Sequence, residues 1–303
     1  MSKIASHTIN PNYLKAGEIS REIKKDVEAR SWEGKTCLEI CEFVEGEIRR
    51  RGAQPAFPCN VCANESAAHY SAEIEDNKVV PENSLLKVDI GVQIDGYIAD
   101  TAVTLCYNDD LIDMVEATKS ALGEALKVVK SGARTSEVGR VVESYASKRG
   151  YLPISNLSGH ALEQYVVHAG TSVPNVWSPS LISFKKDKVY AIEPFFTTSQ
   201  GSGIVIEGKP ENIFSLVSRK NTKEQELNKF LEVIWNKCRT LPFSPRWFQE
   251  EFPTKSRVNE MLSRLVKMKV VRSYPELVEA RGEPVAQAEH TIATLASGFL
   301  VIT

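Results

Sequence analysis

Apolar and charged positions alternate at helical spacing in several long segments of the chain. The predicted helices of the first half cover residues 11–29, 35–51, 110–130 and 135–149. Runs rich in β-branched residues lie between them, and the predicted strands cover residues 57–62, 85–94 and 96–107. This order predicts an α+β fold in which helices cover a mainly antiparallel sheet.

The second half of the chain has a more interrupted pattern. Residues 151–208 are rich in strand-like and loop-like stretches and contain several prolines, which break regular structure. Amphipathic helices are predicted at 222–239 and 254–269, and a strand pattern returns over 285–302. The helix–helix–strand order of this region fits a small winged-helix-like module.

The charge distribution separates this module from the rest of the chain. The whole chain has 37 Lys and Arg against 39 Asp and Glu, a formal charge of −2. Residues 209–272 hold 14 Lys and Arg, 7 Glu and no Asp, a local charge of +7 that leaves −9 for the remainder. A basic block inside an acidic chain indicates an insert with its own surface. The predicted division is a catalytic domain of residues 1–208 plus 273–303 and an inserted helical subdomain of residues 209–272.

Composition excludes several classes of protein. An apolar run long enough for a bilayer, about 18–20 residues, is missing from the sequence, as is a secretory signal core, so we expect a cytoplasmic protein with no membrane partner. Six cysteines are too few for a disulfide scaffold. Cys59 and Cys62 form a CxxC without a second pair, which favours a structural thiol pair over a zinc or redox site. The near-neutral total charge argues against a protein that coats nucleic acid, and no specific DNA partner is expected.

A predicted β-hairpin carries the first candidate chemistry. Asp95-Gly96 between two β-prone runs is a strong signal for a two-residue turn. That turn places Asp89 opposite Ala102 and Asp100 opposite Gly91, so the two aspartates are diagonal neighbours on one face. The face is either a polar side open to solvent or one where a cation neutralises the two charges.

Further candidate ligands lie in later strand-like segments. His160 and His168 are eight residues apart, and the period of two predicts that they share a strand face. Glu193 ends an apolar run, and Glu289 enters another. An unpaired acidic side chain is expensive to bury, so these residues need a common explanation. Oxygen-rich donors with one imidazole suit a pair of divalent ions bridged by carboxylates.

In their order and spacing these motifs resemble the methionine aminopeptidase family, and specifically the short, archaeal-like form of its type II branch. The resemblance covers essentially the whole chain and rests on Asp89, Asp100 eleven residues later, Ser-Gly-His160, His168-Ala-Gly, Ile-Glu193-Pro and Glu289-His-Thr-Ile. The basic block lies between Glu193 and Glu289, where type II enzymes carry an extra helical subdomain.

The resemblance implies the pita-bread fold, in which two α/β halves surround a curved antiparallel sheet with two divalent metal ions at its centre. Asp89 would chelate one ion, and Asp100 and Glu289 would bridge both. His160 and Glu193 would complete the shell of the other ion. Co, Mn, Fe and Zn all remain possible, because each accepts such a donor set.

The same resemblance implies the activity. A metal-bridging hydroxide would remove the initiator methionine from nascent chains with a small second residue, and Glu193 would carry the proton to the leaving amine. His69 and His168 would bind substrate and stabilise the oxyanion. Phe57 and Tyr274 would line the methionine slot, although simple core packing also accounts for them.

Partners and alternatives follow from the resemblance. The expected partners are the N-termini of nascent polypeptides, with transient ribosome association through the basic insert, and the expected state is a monomer. Three alternatives share the fold: an enzyme that cleaves beside proline, a creatinase-like hydrolase without metals, and a non-enzymatic proliferation-associated homologue. The absence of metals from a creatinase-like hydrolase disagrees with the five intact ligand positions of this chain. The proliferation-associated homologue has lost ligands that this chain retains.

Overall fold

Residues 9–209 and 211–303 are described by a computed structural model. Its α-helices are α1 Pro11–Glu28, α2 Cys37–Arg50, α3 Ile112–Leu126, α4 Thr135–Lys148, α5 Gln225–Cys238 and α6 Lys255–Lys267. Each helix is amphipathic and turns its apolar side to a core. Because of this, the helical spacing of apolar residues predicted the six helices, and α3 differs most from its predicted range. Among the described helices, none combines the length and the apolar character that crossing a bilayer requires.

The strands are short apart from one hairpin, and every pair among the described residues is antiparallel. Their bounds are β1 Gln54–Pro55, β2 Asn60–Ala63, β3 Ser66–Ala68, β4 Leu85–Ile94, β5 Tyr97–Cys106, β6 Leu152–Pro153, β7 Ser158–Leu162, β8 Ser172–Pro174, β9 Val189–Ile192, β10 Phe195–Thr197, β11 Val205–Glu207, β12 Ile213–Leu216, β13 Val271–Tyr274, β14 Leu277–Glu279, β15 Val285–Gln287, β16 His290–Thr294 and β17 Phe299–Val301. The predicted antiparallel α+β architecture is confirmed.

The long hairpin β4–β5 is the centre of the first half. Asp95 and Gly96 both have positive φ, 52° and 83°, as a two-residue hairpin turn requires. The register is the predicted one, with Asp89 opposite Ala102 and Asp100 opposite Gly91. Strands β1 and β2 pair with the other edge of β4, and α1 and α2 cover the sheet with a shared apolar core. The turn therefore fixes which face receives the two aspartates.

The second half repeats this plan with a five-stranded sheet. Its strand order is β17-β16-β9-β7-β8, and α3 and α4 pack on it around a second core. His160 lies in β7, Glu193 follows β9 directly, and Glu289 precedes β16 directly. Because β9 lies between β7 and β16, these three side chains start from neighbouring positions in one sheet.

Threonine side chains join the two sheets along β5 and β16. The Thr101 hydroxyl donates to the Glu289 carbonyl at 3.0 Å. The Thr291 hydroxyl donates to the Asp100 carbonyl at 2.7 Å and accepts from the Asp100 amide at 2.8 Å. Both threonines are fully buried. These bonds satisfy backbone groups at the seam and hold Asp100 beside Glu289.

The insert has a core of its own. Strands β12 and β13 pair with each other. Between them in the sequence lie α5, a short 3-10 helix, Pro245–Phe248, and α6. Phe230, Phe243 and Phe248 pack edge to face inside it. The structure thus has two helices on a two-stranded ribbon, and the domain limits of 209–272 stay a prediction.

Three predicted elements differ from the structure. The strand predicted at 57–62 begins only at Asn60, because Pro58 has no N–H to donate to a ladder. The strand predicted at 285–302 is divided into β15, β16 and β17, the last two separated by a turn with Gly298 at φ 86°. The helix predicted at 110–130 is a short 3-10 turn, Asp109–Leu111, followed by the shorter α3.

Two helical glycines provide a test of the packing between α1 and the chain end. A Cβ added to Gly17 would lie 2.2 Å from the Ile302 carbonyl oxygen, whereas a Cβ on Gly46 in α2 would have nothing within 4 Å. We expect Gly17→Ala to lower the free energy of unfolding by about 1–3 kcal/mol through overpacking. Gly46→Ala should raise it by roughly 0.5–1 kcal/mol, since alanine loses less backbone entropy than glycine. Urea unfolding followed by circular dichroism measures both, and equal effects would contradict the close contact.

Candidate metal centre and substrate pocket

Three carboxylates converge where the two sheets meet. Oxygen atoms of Asp89, Asp100 and Glu289 all lie within 4.8 Å of one another. Asp100 is 3% exposed and Glu289 is 1% exposed. The hairpin register supplies the two aspartates, and the threonine seam brings the glutamate to them. Like charges this close repel, so the cluster needs protons or a cation.

His160 and Glu193 lie at the edge of this cluster. The Nε2 atom of His160 is 3.4 Å from Glu193 Oε1 and 3.8 Å from Asp100 Oδ2. The side-chain amide of Asn175 donates to the carbonyls of Leu157 and Glu193, at 3.2 Å and 3.0 Å. Asn175 therefore ties the ends of two strand segments together and fixes Glu193 next to His160.

The electrostatics of these groups fit a cation site. Burial raises the pKa of Asp89 to about 7. Burial, with repulsion from neighbouring carboxylates, raises the pKa of Asp100, Glu193 and Glu289 well above their usual values. Burial also lowers the pKa of His160 to about 3, which leaves the imidazole neutral and able to ligate.

Unpartnered oxygens point to the same conclusion. Asp89 Oδ1, Asp100 Oδ1 and Glu289 Oε2 are buried and have no hydrogen-bond partner among the described residues. Buried polar atoms are nearly always satisfied in proteins, by ordered water or ions where protein groups are absent. Three such oxygens in one cluster, next to a neutral imidazole, suit one or more hard or borderline divalent cations.

His168 reaches the site by a route that the sequence pattern does not indicate. The prediction that it shares a strand face with His160 is wrong, because β7 ends at Leu162 and the chain then turns through Tyr165, at φ 58°. The Ala169 amide donates to the Ala161 carbonyl at 2.8 Å and returns the chain to β7. The His160 and His168 rings consequently lie 4.3 Å apart, centre to centre.

His69 has an unusual backbone conformation. Its φ is 65°, a left-handed value that costs a non-glycine residue conformational energy. The backbone amide of His69 donates a hydrogen bond to the side-chain oxygen of buried Asn60 at 2.7 Å, which holds this conformation. Burial, and then repulsion from His168, lowers the pKa of His69 to about 4. Burial, followed by the nearby Arg272 charge, lowers the pKa of His168 as well, so both rings are neutral near pH 7.

A pocket of about 230 Å³ opens onto the carboxylates, and all the predicted site residues line it. Phe57 and Tyr274 form part of its wall, and the Tyr274 ring lies 5.8 Å from the His69 ring. The Phe57 ring occupies the space over Gly91, where a Cβ would come within 2.4 Å of it. One side of the pocket is therefore acidic and the other largely apolar.

Sequence reasoning missed several residues that line the pocket, among them Asn60, Val167, Phe195, Ile213 and Pro242. The sequence could have indicated Phe195, because it lies two residues beyond Glu193 with a single proline between them. Ile213 and Pro242 belong to the insert, and no local pattern connects them with residues far away in the chain.

The chain is similar in sequence to a family model and to named relatives. The model of metallopeptidase family M24 matches residues 12–209. A protein of Thermococcus onnurineus named methionine aminopeptidase is 41% identical over 291 residues, covering 96% of this chain and 98% of its own. A protein of Saccharolobus solfataricus with the same name is 38% identical over 294 residues, 96% of each chain.

Solved structures show the same fold at low identity. A thermophilic Arx1 superposes with a TM-score of 0.81 at 17% identity and covers 96% of this chain and 89% of its own. Methionine aminopeptidase from Thermotoga maritima superposes with a TM-score of 0.70 at 19% identity and covers 100% of this chain and 99% of its own. An X-Pro aminopeptidase from the same organism gives 0.60 at 16% identity and covers 96% of this chain but 59% of its own. The fold is the predicted pita-bread fold.

The pKa of Asp89 predicts how the stability of the metal-free protein depends on pH. Its folded pKa is about 7, whereas an unfolded aspartate titrates near 3.9. Between these values the folded state holds a proton that the unfolded chain has lost. The free energy of unfolding should therefore fall as pH rises through this window. Thermal unfolding in excess chelator, at about pH 5 and about pH 7.5, measures the effect.

Asp89→Asn should reduce this pH dependence, whereas Asp110→Asn, at an exposed carboxylate, should retain it. Adding Mn²⁺ near pH 7.5 should raise the unfolding temperature of the unsubstituted protein more than that of Asp89→Asn. An identical pH profile for the two variants would contradict the assignment.

Proposed function

The chain belongs to metallopeptidase family M24, and from this premise we propose that it is a metal-dependent aminopeptidase that removes the N-terminal methionine of nascent proteins and peptides. The single observation that carries the proposal is the pocket that joins a buried carboxylate cluster to an apolar wall. Relatives named methionine aminopeptidase, aligned over nearly the whole chain, support the same activity.

The proposed substrate has a methionine side chain followed by a small second residue. A flexible, unbranched thioether fits an irregular apolar slot better than a branched side chain does. In the proposal Phe57 and Tyr274 bind this side chain, and the acidic side of the pocket receives the free amino group.

The proposed cofactor is a pair of divalent ions. Asp89 would bind one ion, Asp100 and Glu289 would bridge the two, and His160 and Glu193 would bind the other. Such ions supply, when bound, a water of lowered pKa and Lewis-acid polarisation of the scissile carbonyl. Mn, Fe, Co and Zn are the candidates that this donor set accepts.

The side chains around the reacting bond have distinct proposed roles. In the proposal Glu193, beside His160, takes the proton of the attacking water and delivers it to the leaving amine. The neutral rings of His69 and His168 can donate hydrogen bonds to the substrate carbonyl oxygen, where negative charge develops.

A peptide assay tests this function. Purified protein with Mn²⁺ or Co²⁺ should release free methionine from Met-Ala-Ser, and excess chelator should abolish the release. An Ala-Pro peptide should stay intact, which distinguishes the activity from cleavage beside proline. Glu193→Gln should lower kcat by about 10²-fold or more, the usual contribution of a general acid–base group.

The control variant is Glu163→Gln, at a half-exposed carboxylate that pairs with Lys188 on the surface, and it should keep kcat. Absence of free methionine with every one of Mn, Fe, Co and Zn would refute the proposed function. Full activity in excess chelator would do the same.

We also propose a cytoplasmic monomer that associates transiently with the ribosome through its basic insert. Arg257 and Arg264 are held in ion pairs by glutamates of the insert. Lys220, Lys267 and Lys269 are exposed instead, at the end of the insert where the Val217 amide donates to the Val270 carbonyl. These lysines are exposed charges that a phosphate backbone can reach.

Charge reversal tests the ribosome contact. Lys267→Glu with Lys269→Glu should weaken cosedimentation with ribosomes at low salt by about tenfold or more, because phosphate contacts depend strongly on charge. The matched control, Lys127→Glu with Lys130→Glu beyond the end of α3, should cosediment like the unsubstituted protein. Equal cosedimentation of both double variants would count against the role of the insert.

A further inference from the structure

A buried carboxylate fastens the insert to the catalytic region. Glu45, in α2, is 2% exposed. Its Oε1 lies 2.8 Å from Arg246 Nη2, and its Oε2 lies 3.2 Å from Arg246 Nη1 and 2.7 Å from Trp247 Nε1. Arg246 and Trp247 belong to the 3-10 helix of the insert. The two-pronged geometry fixes both the distance and the orientation of the contact.

The same carboxylate also holds the segment that leads to the pocket. The Cys59 amide donates to Glu45 Oε1 at 3.3 Å. The next residue, Asn60, donates to the Pro58 carbonyl at 2.8 Å and accepts from the His69 amide at 2.7 Å. Phe57, which lines the pocket, begins this segment. Glu45 is therefore connected to one wall of the pocket by a short series of hydrogen bonds.

The insert side of the contact is connected to a second wall of the pocket. Phe214 and Phe243 exchange backbone hydrogen bonds, at 2.9 Å and 2.7 Å, which tie the loop before Arg246 to β12. Pro242, in this loop, and Ile213, at the start of β12, both line the pocket. Tyr274 pairs with Ile213 across the ribbon. Arg246 is consequently connected to this wall through the Phe214–Phe243 hydrogen bonds and the ribbon.

We propose that Glu45 is a positioning residue that sets the width of the methionine slot by holding its two walls at a fixed separation; the proposal rests on the proposed function. A buried ion pair adds little net stability compared with an apolar pair of the same shape, because both charges lose their hydration. Its contribution here is geometric: one carboxylate serves Arg246, Trp247 and the Cys59 amide at the same time.

Glu45→Gln tests this role with little change in shape. A carboxamide has a single acceptor oxygen and turns an NH₂ group toward Arg246 or Trp247, so the contact cannot be kept intact. We expect KM for Met-Ala-Ser to rise by about tenfold, with kcat and the affinity for Mn²⁺ each changed by less than about twofold. Release of leucine from Leu-Ala-Ser, relative to methionine, should increase because the slot is less tightly defined.

The matched control is Glu73→Gln. Glu73 Oε2 lies 3.3 Å from Lys255 Nζ, so this pair also joins the catalytic region to the insert, but both of its side chains are partly exposed. Trp247→Phe is a milder second variant that removes only the indole hydrogen bond to Glu45, and it should shift KM in the same direction. Trp247→Phe keeps the test available if Glu45→Gln fails to fold.

Amide hydrogen exchange provides a readout that needs no catalysis. In Glu45→Gln, exchange should accelerate in both 57–62 and 242–248, and Glu73→Gln should leave both segments unchanged. If the unsubstituted protein releases no methionine, the proposed function fails, and this exchange pattern still decides whether Glu45 couples the two walls. Unchanged exchange in 57–62, or equal losses of kcat and kcat/KM without a change in selectivity, would overturn the proposal.

Discussion

Mutual repulsion among buried carboxylates is the constraint on which the rest of the site depends. Asp89, Asp100, Glu193 and Glu289 all have raised pKa values, and burial is the largest cause for each. A fold keeps such a cluster only if a cation or protons compensate the charge and the backbone holds the carboxylates against separation. The threonine seam supplies the second condition, because Thr101 and Thr291 bind main-chain groups of the very residues that repel.

The catalytic halves and the insert contribute different properties to the pocket. The two sheets supply the acidic side, with residues at fixed ladder positions where a rigid backbone favours precise geometry. The insert and the segment around Phe57 supply the apolar side, which lies outside those ladders and needs separate fixing. The hydrogen bonds of Glu45 hold this apolar side in place.

The sequence predicted those parts of the site that local rules determine. Asp95-Gly96 fixes a hairpin register, and the register fixes which residues oppose Asp89 and Asp100. His168 depends instead on a turn after β7 that the period of two does not describe. Ile213 and Pro242 reach the pocket through tertiary packing of the insert, so no spacing along the chain points to them. Sequence patterns predict the side chains whose positions a strand register fixes. They fail for side chains that a loop or a distant part of the chain brings to the site.

The formal charges counted along the sequence can be interpreted only when the structure shows which charged side chains are buried or paired. The excess of acid outside residues 209–272 includes carboxylates that face one another in a buried site rather than solvent. Within the basic insert, Arg246 faces Glu45 of the catalytic region and is unavailable to an external partner. Arg257 and Arg264 are likewise occupied by neighbouring glutamates. The glutamates that hold Arg257 and Arg264 are already subtracted in the formal charge of +7, whereas Glu45 lies outside residues 209–272. That charge therefore overstates, by the buried Arg246–Glu45 pair, the field that an approaching polyanion meets.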